Sequence, residues 1–173
     1  MKEENINISC WNDEENSTGL VEKIYQCPIC KGEVQEVKNT TVKHFVKDSY
    51  KDEIKDESYY ICLNEICEVV YFSGEENNIF NEEDIKEPIW FKKDASPKYI
   101  CYCNKVTEQE IIDSIIDKNA KDMKDIIKTT GAMKNAECET KNPLSKCCGS
   151  RIQKIIKETL AKGKKNWWDY KLI

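Results

Sequence analysis

The pattern of apolar and polar positions predicts short strands in the first half of the chain. Segments rich in β-branched and aromatic residues, or arranged as a hairpin around a turn, favour strands. The predicted strands span residues 21–26, 33–37, 59–63 and 68–72, the first two forming a hairpin. Val42, Phe45 and Val46 lie at i, i+3 and i+4. This spacing predicts a short helix capped by Thr40 or Thr41.

The second half carries three helical patterns. Thr107 and Glu110 have the spacing of a capping box. Apolar faces follow at Ile111, Ile112, Ile115 and Ile116, then at Met123, Ile126 and Ile127 between Asp122 and Thr130, then at Ile152, Ile155, Ile156 and Leu160. Gly131 is expected to end the second helix, and Ser150 with Gln153 forms a second capping box that starts the third.

Cysteine is the residue type that composition singles out. The 173 residues include ten cysteines and one histidine. The longest apolar runs are only a few residues, and the N-terminus lacks a basic-then-apolar signal segment. We therefore expect a cytoplasmic protein without membrane insertion. In a reducing compartment, grouped cysteines favour metal or redox chemistry over disulfides.

The net charge of −5 is distributed unevenly. Residues 1–97 carry −11 and residues 98–173 carry +6. An acidic first half repels phosphates, which argues against a nucleic-acid-binding zinc ribbon. The lysines of the second half are interpreted as a solvated face, with attraction of an acidic partner as the less favoured alternative.

The first four grouped cysteines have the spacing of a metal site. Cys27 and Cys30 form C-P-I-C followed by Lys-Gly, and Cys62 and Cys67 form C-L-N-E-I-C. Two such turns bring four thiolates to one ion, which suits tetrahedral Zn²⁺ in a closed structural site. Iron in the same geometry is an alternative, and His44, the lone histidine, is a less favoured ligand.

The second set contains Cys101, Cys103, Cys138 and the adjacent Cys147 and Cys148. A C-x-C motif is a poor zinc knuckle but suits an iron–sulfur cluster, where one stretch offers two thiolates to the same iron. Cys148 precedes the predicted helix start at Ser150, where the helix dipole favours a thiolate. Cys148 is therefore the preferred fourth ligand, with Cys147 as the alternative.

These patterns predict an α+β protein with a small zinc-stabilised β-rich domain followed by a small all-helical iron–sulfur domain. The predicted parts are an N-terminal extension at 1–19, the zinc-binding domain at 20–75, a linker at 76–97, the iron–sulfur domain at 98–162 and a basic aromatic tail at 163–173. Ile89-Trp90-Phe91 in the linker is expected to dock onto a domain.

Several motifs together resemble a known family. They are C-P-I-C-x-G, T-V-K-H-F-V, Y-Y-I-C-x4-C-x-V-V-Y-F, Y-I-C-Y-C-N-x-V-T-E-x-E-I and C-x3-N-P-x3-C-C. In this order, over roughly residues 20–160, they resemble the N-terminal module of CopZ-type copper chaperones. That module pairs a zinc-binding domain with a [2Fe-2S] domain similar to bacterioferritin-associated ferredoxin.

The resemblance implies zinc in the first domain. It implies a [2Fe-2S] cluster on Cys101, Cys103, Cys138 and one of Cys147 or Cys148. Partners expected from it are a copper-transport ATPase, a copper chaperone domain or an oxidoreductase. Longer family members add a heavy-metal-associated domain whose M-x-C-x2-C loop binds Cu(I). This sequence contains no such loop, so copper has no dedicated site and we expect a redox or accessory role.

The leading hypothesis is a protein that transfers single electrons in copper homeostasis, by reducing Cu(II) to Cu(I) or by assisting copper delivery. The alternative is a ferredoxin-like partner of a larger oxidoreductase. The sequence shows no Ser/His/Asp or Cys/His arrangement and no Gly-rich phosphate loop. An enzyme in its own right is therefore not expected.

Overall fold

A four-stranded antiparallel sheet forms the first half of the described chain. The computed structural model describes residues 25–74 and 78–169, with side chains to residue 162. The strands follow chain order: β1 Val34–Val37, β2 Tyr59–Cys62, β3 Val69–Ser73 and β4 Ile79–Asn81. Helix α1, Asn39–Phe45, and a 3-10 helix, Asp48–Glu53, connect β1 to β2. The predicted strands around the second cysteine pair are confirmed.

The predicted hairpin between residues 21–26 and 33–37 is wrong for the part that the structure describes. β1 pairs with β2, with Val34 opposite Cys62 and Val37 opposite Tyr59. Tyr25 and Gln26 belong to no strand, and residues 21–24 lie outside the described residues. After the C-P-I-C turn, β1 runs beside β2, which ends at Cys62. It therefore does not pair with the segment that precedes the turn.

The core of the sheet domain contains aromatic and β-branched side chains on both sides of the sheet. Every residue of β3 is buried. The largest fully buried side chains of this core are Tyr59, Tyr71, Phe45, Ile61, Ile89, Val42 and Val46. Because β3 is covered on both faces, the alternation typical of a half-exposed strand is absent.

The segment predicted to be a linker, residues 76–97, has regular structure in its described part. It supplies β4, which pairs with β3, and a 3-10 helix, Glu82–Asp84, closed by a capping box from Asn81. The expected docking of Ile89-Trp90-Phe91 is confirmed, since Ile89 is buried in the sheet-domain core and Trp90 packs against both domain cores.

The second domain is mostly helical. Its elements are β5 Tyr99–Cys101, a 3-10 helix Tyr102–Asn104, β6 Val106–Thr107, α2 Glu108–Ile116, α3 Met123–Thr130, α4 Cys138–Lys141 and α5 Gly149–Asp169. The prediction of an all-helical domain is corrected by the two-stranded sheet of β5 and β6. These strands form because a left-handed Lys105 (φ 54°) reverses the chain directly after the C-x-C motif.

Helix boundaries agree with the sequence in two of the four predicted helices. The predicted cap of α1 is wrong, because α1 begins at Asn39 and Thr40 and Thr41 lie inside it. Thr107 and Glu110 close a reciprocal capping box, and α3 begins after Asp122 and ends at a left-handed Gly131. The predicted capping box at Ser150 is wrong, because α5 already begins at Gly149. Ile116 is also wrong as a core residue, since 64% of it is exposed at the end of α2.

Candidate metal centres

The first cysteine pair lies on a tight turn. Lys31 takes a left-handed φ of 56°, and its amide donates to the carbonyl of Cys27 at 3.0 Å. The Gly32 amide donates to Cys30 Sγ at 3.4 Å. A Cβ added at Gly32 would lie 3.2 Å from that sulfur, which explains why glycine follows the pair. The turn therefore aims two sulfurs and an amide at one point.

The second pair meets the first at the edge of the sheet. Sγ of Cys27 lies 3.8 Å from Sγ of Cys67, and Sγ of Cys30 lies 3.6 Å from Sγ of Cys62. All four sulfurs lie within 4.8 Å of one another. A tetrahedral ion with Zn–S bonds of about 2.3 Å needs sulfurs about 3.8 Å apart. The four thiols fit zinc without rearrangement.

The surroundings of the four sulfurs favour a shared negative charge. Burial raises the pKa of Cys30, but hydrogen bonds from the Gly32 amide and neighbouring thiols outweigh it and lower this pKa to about 6. Burial raises the pKa of Cys62 and Cys67, opposed by hydrogen bonds from the amides of Asn64 and Val69. A divalent cation would convert the remaining thiols to thiolates.

The second centre gathers five sulfurs from three parts of the helical domain. Cys101 ends β5 and Cys103 lies in the 3-10 helix after it, while Cys138 begins α4. Cys147 and Cys148 lie just before α5. Sγ of Cys103 lies 3.9 Å from Sγ of Cys138, and Cys138, Cys147 and Cys148 have sulfurs within 4.8 Å of one another.

Cys101 and Cys148 form the inner pair of this group, and both are buried. A hydrogen bond from Cys148 lowers the pKa of Cys101 to about 5, and the same bond raises the pKa of Cys148. The Met133 amide also donates to Cys101 Sγ, at 3.4 Å. The sulfurs form two pairs, Cys101 with Cys148 and Cys103 with Cys138, and a [2Fe-2S] cluster needs two thiolates on each iron. These contacts pair each cysteine of the C-x-C motif with a cysteine from another loop, which differs from the expectation that both bind one iron.

Cys147 differs from the other four because it is exposed. Its sulfur accepts a hydrogen bond from the Gly149 amide at 3.5 Å. Cys148 is 4% exposed and directly precedes α5, and its own amide donates to Cys138 Sγ. The two adjacent cysteines therefore differ: Cys148 is buried and bonded to the other sulfurs of the group, whereas Cys147 is exposed.

His44 and Lys92 are two further side chains whose positions bear on the zinc site. His44 is not among the grouped zinc-site side chains and instead packs its ring against Phe45 at 5.3 Å. Lys92 is fully buried beside the second zinc turn. The sequence does not indicate this role, because Lys92 is followed by Lys93 and Asp94 and so resembles a solvated residue, although it directly follows the apolar Ile89-Trp90-Phe91. Cys10 lies outside the described residues.

A four-cysteine site in a sheet domain, followed by clustered cysteines in a mostly helical domain, defines a two-centre metal-binding protein. Comparison with known families identifies each half. A zinc binding domain of the CopZ type matches residues 24–86, and a BFD-like [2Fe-2S] binding domain matches residues 99–158. The cofactors are therefore zinc in the four-cysteine site and a [2Fe-2S] cluster in the second domain.

Individual relatives agree with this pairing. The chain is 34% identical over 130 residues to the "Copper chaperone CopZ" of Archaeoglobus fulgidus, covering 75% of this chain and 61% of the relative. The X-ray structure of the CopZ N-terminal domain from A. fulgidus superposes with a TM-score of 0.64 and 31% identity, covering 76% of this chain and 97% of that one. The chain belongs to the family of CopZ N-terminal zinc and [2Fe-2S] modules.

Both matched families are metal-binding domains rather than catalytic ones. Within residues 25–74 and 78–169, no helix is sufficiently long and apolar to cross a membrane. The matched region spans about three fifths of the curated relative, so the family membership extends to the metal-binding module and not to the activity of that whole protein.

Proposed function

We propose that this chain is a cytoplasmic electron-transfer protein of copper homeostasis, in which a zinc-stabilised sheet domain supports a [2Fe-2S] cluster that reduces Cu(II) to Cu(I). The observation that supports it best is the position of the second centre. Cys101 and Cys148 are buried, Cys103 and Cys138 are partly buried, and Cys147 reaches the surface. A cluster at this place has one protected side and one side open to an electron acceptor.

We assign zinc to Cys27, Cys30, Cys62 and Cys67, whose sulfurs fit a tetrahedral ion. We assign the cluster to Cys101, Cys103, Cys138 and Cys148. Cys148 is preferred over Cys147 because it is buried and bonded to both Cys101 and Cys138. The alternative set, with Cys147 in place of Cys148, is supported only by the proximity of the Cys147 sulfur to Cys138.

A [2Fe-2S] cluster bound by four thiolates takes up and releases one electron. Each electron released would convert one Cu(II) to one Cu(I), the form that soft sulfur ligands hold. The protein residues contribute by tuning and protection. The amide of Met133 and the side-chain amide of Asn104 donate to Cys101 Sγ, at 3.4 Å and 3.6 Å. Such bonds stabilise added negative charge and so raise the reduction potential.

The test is stoichiometric. Protein purified without oxygen should contain about one zinc, two irons and two acid-labile sulfides. Dithionite-reduced protein, desalted and mixed with Cu(II), should form one Cu(I) per cluster, measured with bathocuproine disulfonate as the cluster absorption returns. Oxidised protein is the matched control, because its free thiols also reduce copper. Equal Cu(I) yields from reduced and oxidised protein would refute copper reduction by the cluster.

The alternative is an electron-carrying partner of a larger oxidoreductase. The BFD-like domain supports it as well, because a ferredoxin-type cluster carries an electron irrespective of the acceptor. Candidate partners are a copper-transport ATPase, a copper chaperone domain or an oxidoreductase. A pull-down with reduced protein that recovers a flavoenzyme, together with expression that ignores copper stress, would favour the alternative.

A further inference from the structure

Lys92 is the one charged side chain that is completely buried among the described residues. Its ammonium group donates to three backbone carbonyls, those of Asn64 at 2.9 Å, Cys67 at 2.7 Å and Val69 at 2.9 Å. All three belong to the turn and strand that carry the second pair of zinc-site cysteines. A buried cation needs this degree of hydrogen bonding, because its charge has lost the stabilisation that water provides.

The same turn supplies hydrogen bonds to the sulfurs. The amide of Asn64 donates to Cys62 Sγ and the amide of Val69 donates to Cys67 Sγ. Lys92 therefore binds the carbonyls of the two residues whose amides orient the sulfurs. The neighbouring amide of Lys93 adds a bond to the carbonyl of Glu65 at 2.9 Å. The segment predicted to be a linker thus holds the zinc turn in place.

The other end of this segment is held by the second domain. Tyr102, the middle residue of the C-x-C motif, is 3% exposed and inserts into the core of the sheet domain. Its hydroxyl donates to the Pro88 carbonyl at 2.7 Å and accepts from the Trp90 amide at 3.0 Å. Residues 88–92 thus contact a residue between two cluster cysteines at one end and the zinc turn at the other.

A second contact runs through β3. Val69, which accepts from Lys92, begins this strand, and Tyr71 follows two residues later. The buried hydroxyl of Tyr71 donates to the Pro143 carbonyl at 3.0 Å, in the loop between Cys138 and Cys147. Both cluster loops are consequently fixed to elements that Lys92 positions.

We propose that Lys92 is a positioning residue for both metal centres: it orders the zinc turn and, through residues 88–92 and β3, makes zinc retention and cluster retention interdependent. The inference rests on the proposed ligand sets. It requires that residues 88–92 and β3 hold the ligands of both centres in place. Loss of either metal would then disorder the residues that position the ligands of the other. For the equilibrium binding free energies of the two metals, such coupling is reciprocal.

The first experiment compares Lys92→Met with Lys93→Met, the exposed lysine one residue on. Zinc transfer to 4-(2-pyridylazo)resorcinol reports the zinc site. Loss of a residue that orients metal ligands weakens binding by about 10- to 100-fold, so zinc release from Lys92→Met should accelerate by about tenfold. The visible circular dichroism of the cluster and its rate of loss to an iron chelator report the second centre, and loss should accelerate about fivefold or more.

Lys93→Met should match the wild-type protein in all three measurements. Unchanged zinc release in Lys92→Met would overturn the role at the zinc site. Faster zinc release with an unaltered cluster spectrum and lifetime would overturn the coupling.

A second measurement uses only the wild-type chain, so it tests the proposal even where the Lys92→Met protein does not fold. In the wild-type chain, the cluster lifetime is compared with zinc bound and after zinc removal, and zinc release is compared with and without the cluster. Each metal should prolong retention of the other. A change in either rate supports the coupling, and equal rates in both comparisons would overturn the proposal. Failure of the proposed function is distinguishable, because it appears as equal Cu(I) yields from reduced and oxidised protein, whereas the retention measurements contain no copper.

Discussion

Tyr102→Phe tests how strongly the sheet domain holds the cluster loop. The substitution removes one oxygen and leaves the ring, which packs edge-on against Phe45 at a centroid distance of 5.3 Å. Two hydrogen bonds disappear, the one donated to the Pro88 carbonyl and the one accepted from the Trp90 amide. The perturbation is therefore confined to polar contacts at the boundary between the two domains.

The magnitude follows from the burial of the partners. A buried polar group that loses its partner costs about 1–3 kcal/mol. Pro88 and Trp90 are partly exposed, so water can recover part of the loss. Two such losses give about 2–4 kcal/mol. Tyr71→Phe removes a single bond, to the Pro143 carbonyl, and should cost about half as much.

The assay is the urea midpoint of metal-loaded protein under anaerobic conditions, with thermal unfolding as a second reading. For a protein of this size, a loss of 2–4 kcal/mol lowers Tm by roughly 4–16 °C. Tyr99→Phe is the matched control, because the described residues offer the Tyr99 hydroxyl no hydrogen bond and its ring contacts Tyr102 and Lys105. A Tyr102→Phe protein within about 0.5 kcal/mol of wild type would refute the reasoning, since surface substitutions fall in that range.

Three further predictions concern single residues. Cys147→Ser should keep about two irons per chain while Cys148→Ser should lose the cluster or change its EPR spectrum, and the reverse result would assign the fourth ligand to Cys147. Burial lowers the pKa of His44 below its ordinary value of 6.5, so the folded state binds this proton less readily than the unfolded one. Stability should fall as the pH drops through 6.5, and His44→Asn should show a smaller fall in urea midpoints between pH 7.5 and 5.5. Thr107→Ala removes the hydrogen bond from the Glu110 amide that caps α2 and should cost about 1 kcal/mol in the same assay, whereas no change would contradict the cap.

Local sequence signals predict the elements that local interactions build. The spacing of Cys27, Cys30, Cys62 and Cys67 is enough to group one site, because each pair lies on a turn whose geometry a few neighbouring residues determine. The boundaries of α2 and α3 follow from caps for the same reason. The start of α5 escapes prediction because Ser150 fits a capping box as well as it fits a first helical turn.

Hydrogen bonds between distant parts of the chain cannot be predicted from the sequence. Thr41 has the sequence position of a helix cap, yet its hydroxyl is buried and donates to the carbonyl of Glu139 at 2.6 Å. Lys92 lies in a run of charged residues, and its three acceptors are 23 to 28 residues away along the chain. Whether a polar side chain faces water or a buried carbonyl is decided by tertiary packing, which no local pattern encodes.

The two centres also explain the uneven charge of the chain. Zn²⁺ with four thiolates and an oxidised [2Fe-2S] cluster with four thiolates each carry about −2, so filling both moves the net charge from −5 to about −9. Lys92 lies against the carbonyl of Cys67, where the zinc centre adds its negative charge. The lysines of the second half likewise offset the charge of the cluster in the same domain. The excess of lysine there does not require an acidic partner. Surface charge therefore does not distinguish the two candidate functions, copper reduction and electron transfer to a larger oxidoreductase. The distinction has to come from the acceptor that reoxidises the reduced cluster.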